Sequence, residues 1–266
     1  MSSIENVQNY WNRRPCNIKH STEQEYNLKF FEEVEKRRYF VEPHILNFAN
    51  FTEWSQKKVL EIGCGIGTDA KKFSENGANY TGIDLSENSL EIAKKRFELY
   101  GLKGNFYHGN SESLSSIIPI QNFDFIYSFG VIHHTPSPDK VFSEIKKYMD
   151  TTSILKIMLY KKVCWKTIEF YIKNAYKFNW NFSKTSQYFA EAQLDCPVAF
   201  FYTKKECKNL LKDFDIVKIE NKFIFPYEIE SYINKIYKVR SIFKILPINI
   251  LEKYIGQHWL ITAKIK

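Results

Sequence analysis

Short apolar runs alternate with amphipathic stretches through the middle of the chain. Runs rich in β-branched and aromatic residues predict strands at 58–62, 80–84, 105–108, 123–128 and 154–160. Apolar residues at helical spacing predict the intervening helices at 68–76, 86–100 and 139–149. Strands that alternate with helices are typical of a parallel sheet covered by helices on both faces. The pattern therefore predicts a Rossmann-like α/β fold.

The alternation resumes near the C-terminus after an interruption. A predicted helix at 203–212 and strands at 215–224 and 258–264 bring the sheet to seven strands, most of them parallel. Two stretches, about 161–199 and 226–250, are predicted helical insertions. We predict that residues 1–57 form an N-terminal helical cap and that residues 58–266 form a single domain. We expect the cap and the insertions to cover one edge of this domain.

A glycine-rich loop follows the first predicted strand, in the sequence VLEIGCGIGTD. Glycine lets the backbone turn sharply and pass close to a ligand. A dinucleotide fingerprint requires a third glycine where this chain has Thr68, and no Lys-Ser/Thr pair follows to make a P-loop. Taken alone, the loop is also compatible with a purely structural turn. Its candidate ligand-binding residues are Glu61, Gly63, Cys64, Gly65 and Gly67.

A carboxylate ends the second predicted strand, 23 residues after Glu61. Asp84, followed by Leu85, is placed to accept hydrogen bonds from both ribose hydroxyls of a nucleoside. The third predicted strand leads into the sequence GNSESL, where Asn110 and the neighbouring backbone can reach an adenine edge. The loop and the carboxylate together indicate a ligand that contains a nucleoside.

These stretches, in this order and spacing, resemble the class I S-adenosylmethionine-dependent methyltransferase family over about residues 55–160. The resemblance implies S-adenosylmethionine as cofactor, S-adenosylhomocysteine as product and no metal. It implies that Glu61 and the glycine backbone hold the methionine part and that Asp84 holds the ribose. Asn110 departs from the Asp more frequent in the family, and its amide oxygen accepts the adenine amino hydrogen bond more weakly. The implied adenine contacts are Asn110, Ser111 and Glu112.

The opening segments VQNYWNRRPCNIKHS and KFFEEVEKRRYFVEPHI are similar to the N-terminal cap of a subgroup of bacterial small-molecule methyltransferases. Among these enzymes, the chain resembles those that serve capsule or other surface-glycan precursors. We expect Tyr10 and Arg14 to belong to a lid over the cofactor, where an arginine can clamp a carboxylate or phosphate. A helix packed on the sheet is the alternative interpretation.

Two adjacent histidines follow the fourth predicted strand, in the sequence FGVIHHTPSP. Imidazole titrates near neutrality, so His133 or His134 can remove a proton from an acceptor hydroxyl. We favour His133 as the base. The alternative is that both rings only hold the loop and the next helix in place. Ser128, at the tip of the strand, is expected to line the methionine pocket or simply to make room for it.

The composition of the chain indicates the cellular compartment and which structural elements are not expected. The five cysteines of the 266 residues include no C-x-x-C pair, so neither a disulfide framework nor a zinc site is expected. The opening segment is polar, unlike a secretory signal, and the longest apolar runs are too short for a bilayer span. The simplest expectation is a cytoplasmic protein with no membrane span.

The basic residues are concentrated in the C-terminal part of the chain. Residues 1–150 contain 18 Lys/Arg and 20 Asp/Glu, whereas residues 151–266 contain 20 and 10. This imbalance suits an anionic acceptor. The predominance of Lys over Arg, with abundant Asn, Ile, Tyr and Phe, is equally compatible with an AT-rich coding sequence.

The leading hypothesis is methyl transfer to a small, anionic molecule, with oxygen as the preferred acceptor atom. An RNA methyltransferase is the second hypothesis, disfavoured because Ser-Phe-Gly-Val stands at 128–131 in place of an Asn/Asp-Pro-Pro-aromatic motif. The basic residues are also scattered among apolar ones, so nucleic acid is not the expected partner. A non-catalytic S-adenosylmethionine-binding protein is the third hypothesis. No oligomeric state is predicted.

Overall fold

A seven-stranded sheet forms the centre of the protein in the computed structural model, which describes residues 4–182, 184, 185, 188, 196–224 and 248–266. The strand order is β3-β2-β1-β4-β5-β7-β6. The first five strands are parallel, and β7 runs antiparallel to both β5 and β6. The strands are β1 Lys58–Ile62, β2 Asn79–Asp84, β3 Asn105–His108, β4 Phe125–Phe129, β5 Ile154–Tyr160, β6 Phe214–Lys222 and β7 His258–Ile265.

Helices surround this sheet in the described part of the chain. They are α1 Ile4–Arg13, α2 Leu28–Val41, α3 His44–Ala49, α4 Thr68–Glu75, α5 Glu87–Leu99, α6 Pro138–Lys146, α7 Trp165–Asn174, α8 Lys204–Leu210 and α9 Ile248–Ile255. Side-chain caps fix several helix starts. Ser86 accepts a hydrogen bond from the Ser89 N–H at the start of α5, and Thr203 forms a capping box with Glu206 at the start of α8.

The predicted α/β fold is confirmed, with seven strands where the sequence places them. The β1 residues Val59, Leu60 and Ile62 are all buried, as expected for a strand covered on both faces. Small differences occur at element ends, where predictions are weakest. The fourth strand begins at Phe125 and not at residue 123, and α6 ends at Lys146 and not at residue 149.

Most of the N-terminal segment packs into the core, although residues 1–57 were predicted as one cap. Phe48 and Trp54 belong to the same buried cluster as Val59 and Phe125. The Trp54 ring stacks on the Phe125 ring with the centroids 3.9 Å apart. The segment from α2 to Trp54 therefore completes a helical layer, and α1 is the part of residues 1–57 that lies outside it.

The first predicted insertion begins with α7, whose surroundings are aromatic. The Tyr171 ring lies 5.2 Å from the Phe182 ring, while Trp180 is 66% exposed. The second predicted insertion, about residues 226–250, lies outside the described residues apart from the start of α9. Among the helices that the structure describes, none is both long and apolar enough to cross a membrane.

Candidate functional site

A deep cleft lies at the carboxyl ends of β1, β2 and β4. Its empty volume is about 1000 Å³, including the open mouth. Strand β1 has β2 on one side and β4 on the other, so the chain reverses its direction of travel across the sheet at this point. Open parallel sheets bind their ligands at such a switch point, beyond the carboxyl ends of the strands. The topology therefore places the cleft where a ligand is expected.

The glycine loop forms the floor of the cleft. Gly63 has a φ of +77°, and a Cβ atom built there would lie 2.2 Å from a Val131 methyl carbon. Gly65 has a φ of +52°, and a Cβ atom there would have no neighbour within 4 Å. Glycine is thus required at 63 by close packing, whereas at 65 it leaves the backbone open towards the cleft.

Asp84 is held in place by the backbone at the end of β2. The Gly65 N–H donates to Asp84 Oδ2 and the Ser86 N–H donates to Asp84 Oδ1, each at 2.8 Å. Burial raises the pKa of the Asp84 carboxyl, and these two hydrogen bonds oppose that shift. Each carboxylate oxygen accepts more than one hydrogen bond, so both retain capacity for a ligand hydroxyl.

Glu61 lies deeper in the cleft, at the end of β1. The Tyr80 hydroxyl donates a hydrogen bond of 2.6 Å to Glu61 Oε2 in a buried setting. Burial, reinforced by the nearby Asp69 charge, raises the pKa of Glu61 to about 8. The same burial raises the pKa of the Cys64 thiol, which keeps Cys64 protonated and unreactive.

A buried ion pair fastens α2 to the helix that follows the glycine loop. Arg38 donates to both oxygens of Asp69, at 2.9 Å from Nε and 2.7 Å from a terminal nitrogen. The Tyr39 and Tyr127 hydroxyls donate to the same carboxylate. Arg38 and Asp69 both line the cleft. This bidentate geometry fixes the position of the arginine relative to the glycine loop.

Of the three residues predicted to contact the adenine, two line the cleft and one lies behind its wall. Asn110 and Ser111 line the cleft. Asn110 Oδ1 already accepts a hydrogen bond of 2.9 Å from the Glu112 N–H. Glu112 does not line the cleft, because its carboxylate accepts a hydrogen bond of 2.7 Å from the Ser137 N–H ahead of α6.

Ser128 is also absent from the cleft wall. Its hydroxyl donates a hydrogen bond of 3.0 Å to the Ile62 carbonyl and so ties β4 to β1. The structure therefore favours the second of its two expected roles, a small residue that makes room at the strand tip. Phe129 and Gly130, the next two residues, line the cleft in its place.

The two histidines separate into one that lines the cleft and one that does not. His134 lines it, whereas His133 is fully buried with its ring centroid 3.9 Å from that of Tyr160. The preference for His133 as the base is thus not supported by its position. Burial lowers the pKa of His134 to about 4, so its ring is neutral at pH 7.

The hydrogen-bond partner of His134 determines its tautomer. His134 Nδ1 lies 2.8 Å from the Val198 carbonyl oxygen. A carbonyl oxygen only accepts, so Nδ1 carries the proton and the neutral ring leaves Nε2 unprotonated. Nε2 is therefore the ring nitrogen that can accept a proton or a hydrogen bond.

Helix α1 covers one side of the cleft with an apolar face. Ile4, Val7 and Trp11 line the cleft, at spacings of three and four residues that place them on one helical face. Tyr10 and Arg14 are not lining residues, and the Arg14 guanidinium lies 5.5 Å from the Tyr10 ring centroid. The face of α1 that lines the cleft thus differs from the predicted one, and the lid function of this segment stays a prediction.

Hydrogen bonds attach α1 to the body of the protein beside Asp84. Asn88 Nδ2 donates to the Asn12 carbonyl at 2.8 Å, and the Ser86 hydroxyl donates to the Trp11 carbonyl at 3.3 Å. Gln8 Nε2 lies 3.1 Å from His108 Nε2 at the end of β3. Helix α1 is therefore docked on the start of α5 and the end of β3.

The structure brings most of the predicted site residues together. Gly67, by contrast, lies outside the lining and forms the left-handed turn into α4. The predicted residues that line the cleft are Glu61, Gly63, Cys64, Gly65, Asp84, Leu85, Asn110, Ser111 and His134. Lining residues that sequence reasoning did not single out include Ile4, Val7, Cys16, Asn17, Arg38, Thr68, Asp69 and Phe129.

Comparison with known proteins assigns the central part of the chain. Residues 59–151 match the family model described as methyltransferase domain. This part of the chain is therefore similar to a methyltransferase domain. The matched segment runs from β1 to just before β5 and includes the glycine loop, Asp84, His133 and His134.

Curated relatives match over a similar segment. The ubiquinone biosynthesis O-methyltransferase of Azoarcus sp. strain BH72 is 34% identical over 83 residues, which are 31% of this chain and 35% of that protein. The enzyme of the same name from Actinobacillus pleuropneumoniae is 29% identical over 102 residues, 37% of this chain and 44% of that protein. The chain thus matches only about a third to a half of the length of these relatives.

Solved structures resemble the whole chain in fold. Magnesium protoporphyrin IX methyltransferase from Synechocystis PCC 6803, with bound S-adenosylhomocysteine, aligns with a TM-score of 0.62 and 14% identity, over 99% of this chain and 100% of that one. An S-adenosylmethionine-dependent methyltransferase from Mesorhizobium loti aligns with a TM-score of 0.55 and 16% identity, over 82% and 95%. At this identity, the likeness shows the shared fold.

Proposed function

We propose that the protein transfers the methyl group of S-adenosylmethionine to a hydroxyl group of a small molecule. One observation carries the cofactor assignment: the Asp84 carboxylate, fixed by the Gly65 and Ser86 N–H groups, stands on the wall of a cleft whose floor is the glycine loop. A ribose diol needs such a paired acceptor. The match of residues 59–151 to a methyltransferase domain supports the same assignment.

The methionine end of the cofactor carries an ammonium and a carboxylate, and the inner cleft offers a partner for each. Glu61 presents a buried carboxyl for the ammonium. Arg38 lines the same region, already oriented by Asp69, and supplies positive charge for the carboxylate. Asp84 gives the cleft wall a negative charge beside the Arg38–Asp69 ion pair, and Glu61 adds a second once a ligand ammonium ionises it, which suits the positive sulfonium of the methyl donor.

In the proposed reaction, the acceptor oxygen attacks the methyl carbon, and the C–S bond breaks with its electron pair passing to sulfur. The protein contributes alignment and the exclusion of water. His134 replaces His133 as the proposed proton acceptor, because it lines the cleft and has an unprotonated Nε2. Trp11, whose ring centroid lies 5.5 Å from that of His134, closes the same side of the cleft.

The acceptor is proposed as a small molecule bound under α1. Its anionic character rests on the charge distribution of the sequence alone. The described lysines of the C-terminal part include five around the edge strand β6, which is four strands away from β1: Lys204, Lys208, Lys212, Lys218 and Lys266. The relatives named above act in ubiquinone biosynthesis, so a capsule or surface-glycan precursor remains a prediction.

Calorimetry with S-adenosylhomocysteine and the Asp84→Ala variant tests the proposal. The parent protein is expected to bind the ligand, and the variant to bind it about tenfold or more weakly, because two ribose hydroxyls lose their acceptor at about 1–3 kcal/mol for each unpaired group. Asp215→Ala is the matched control, since Asp215 is exposed on β6. Binding of NAD in place of S-adenosylhomocysteine, or equal affinity in parent and Asp84→Ala, would refute the assignment.

A further inference from the structure

Three potential metal ligands meet beside the cleft, although they come from distant parts of the chain. Glu42 follows α2, His44 begins α3 and His258 begins β7. One ligand atom from each lies within 4.8 Å of the other two. Phe129, which lines the cleft, contacts both imidazoles, with ring centroids 5.8 Å from His44 and 5.9 Å from His258. The cluster is therefore adjacent to the cleft wall.

The spacing of the two imidazoles fits a shared ion. His44 Nε2 lies 3.1 Å from His258 Nδ1. Two nitrogens bound to one Zn²⁺ at about 2.0–2.1 Å, at angles between a right angle and the tetrahedral value, lie about 2.8–3.4 Å apart. Glu42 Oε1 is 3.9 Å from His258 Nδ1, so a small side-chain rotation brings it to ligand distance. Two histidines and one glutamate leave a fourth position open.

The contacts of the cluster bear on whether it can hold a cation. His44 Nε2 and His258 Nδ1 face each other at 3.1 Å, and at least one of them is unprotonated, because two N–H groups cannot donate to each other. The neighbouring cation Lys222 is paired with Glu252 at 3.0 Å, and Arg38 is paired with Asp69 at 2.7 Å and also lies 3.6 Å from Glu42 Oε2. A direct hydrogen bond between the two imidazoles, with no ion, is the competing explanation.

We propose that Glu42, His44 and His258 bind one divalent transition-metal ion of the Zn²⁺ type. The role of this ion rests on the proposed function. An ion next to Phe129 has an open coordination position for an oxygen of the acceptor, and coordination lowers the pKa of a hydroxyl group. The proposal therefore narrows the acceptor to a small molecule with a metal-binding oxygen.

Titration of the full chain with Co²⁺, after treatment with EDTA, tests the site without any acceptor. We expect one Co²⁺ per chain, with visible absorption of a low-coordinate ion, and displacement by Zn²⁺. The variants His44→Ala and His258→Asn are expected to weaken Co²⁺ binding by at least about tenfold. His20→Ala is the control variant, because His20 lies outside the cluster and should leave binding unchanged.

Three results would overturn the metal site: no absorbance change on titration, binding retained in His44→Ala, or binding lost in His134→Ala but not in His44→Ala. Circular dichroism and thermal melting check that each variant folds. His258 is buried, so His44→Ala, at a partly exposed position, decides the matter if His258→Asn unfolds. Binding of S-adenosylhomocysteine is measured separately, so that failure of the cofactor assignment and failure of the metal site are distinguishable.

Discussion

Each carboxylate on the cleft wall is held by a different kind of partner. Backbone N–H groups hold Asp84, the Tyr80 hydroxyl holds Glu61, and a bidentate arginine holds Asp69. Hydrogen bonds and positive charge favour an ionised carboxylate, whereas burial opposes it. Asp69 therefore stays ionised in its pair with Arg38. Asp84 is oriented to accept hydrogen bonds from a neutral diol. The charge of Glu61 depends on whether a ligand ammonium lies beside it.

Proton release on cofactor binding follows from the position of Glu61. Its pKa of about 8 leaves it mostly protonated at pH 7, and a ligand ammonium beside it favours the ionised form. Affinity for S-adenosylmethionine should therefore increase as the pH rises towards about 8 and fall at higher pH, where the ammonium of the cofactor loses its own proton. Calorimetry in buffers of different ionisation enthalpy measures the released proton.

The Glu61→Gln variant is the control for that measurement. The amino group of the cofactor also titrates near pH 8, as α-amino groups do, and its contribution persists in the variant. The difference between the parent and Glu61→Gln therefore isolates the carboxyl. Equal proton release by both proteins would show that Glu61 does not meet the ammonium.

His134 is expected to affect turnover more than binding. The change His134→Gln removes the Nε2 acceptor, and loss of a general base typically lowers the rate about a hundredfold or more. Transfer of labelled methyl from the cofactor to a metabolite extract measures turnover, and calorimetry with S-adenosylhomocysteine measures binding. His20→Gln serves as the control. Undiminished transfer by His134→Gln would leave the ring with a purely structural role.

At the scale of helices and strands, local pattern and distant contact contribute differently to the site. The positions of Gly63, Gly65 and Asp84 could be predicted from the sequence alone, because each lies at the end of a predicted strand or in the turn that follows it. Ser128 and Glu112 do not line the cleft, since their hydrogen bonds reach residues 66 and 25 positions away along the chain. His258 lies 214 positions from His44. The period of apolar residues, 3.6 in a helix and two in a strand, carries no information about contacts between residues so far apart in the chain.

The lid illustrates the same limit within a single helix. Arg14 and Tyr10 were chosen for their chemistry, but Ile4, Val7 and Trp11 form the inward face. Their spacing of three and four residues was visible in the sequence and is the usual sign of a buried helical stripe. Periodicity was thus the better guide to orientation, and residue chemistry the poorer one.

Removal of the Trp11 ring tests the lid. Trp11→Ala exposes the apolar side of the cleft, and loss of roughly 1.5–3 kcal/mol of aromatic burial should weaken S-adenosylhomocysteine binding about tenfold or more. Trp180→Ala is the matched control, because Trp180 is 66% exposed. A chain lacking residues 1–20 should show at least the same loss. Normal binding and turnover by both the Trp11 variant and the truncated chain would exclude a lid function for α1.

At the scale of the whole molecule, two surfaces of opposite charge lie at different parts of the sheet. Among the described residues that line the cleft, Asp69 is paired with Arg38, Glu61 is mostly protonated at pH 7, and Asp84 supplies the negative charge. The groove at β6 is lined by five lysines and Asp215. An acidic site suits a sulfonium donor, whereas a lysine groove is the kind of surface that attracts a polyanion. The small-molecule and RNA hypotheses therefore place their substrates on different surfaces.

Salt dependence separates these two hypotheses. A protein that neutralises about six to ten phosphates loses roughly a thousandfold or more in affinity between about 50 and 200 mM salt, because counterions are released. A small acceptor in a closed cleft is screened much less, so turnover should change less than about threefold over the same range. The double variant Lys212→Ala, Lys218→Ala should leave turnover of a metabolite extract unchanged. Activity that requires RNA, falls steeply with salt and is lost in the double variant would instead establish the lysine groove as the substrate surface.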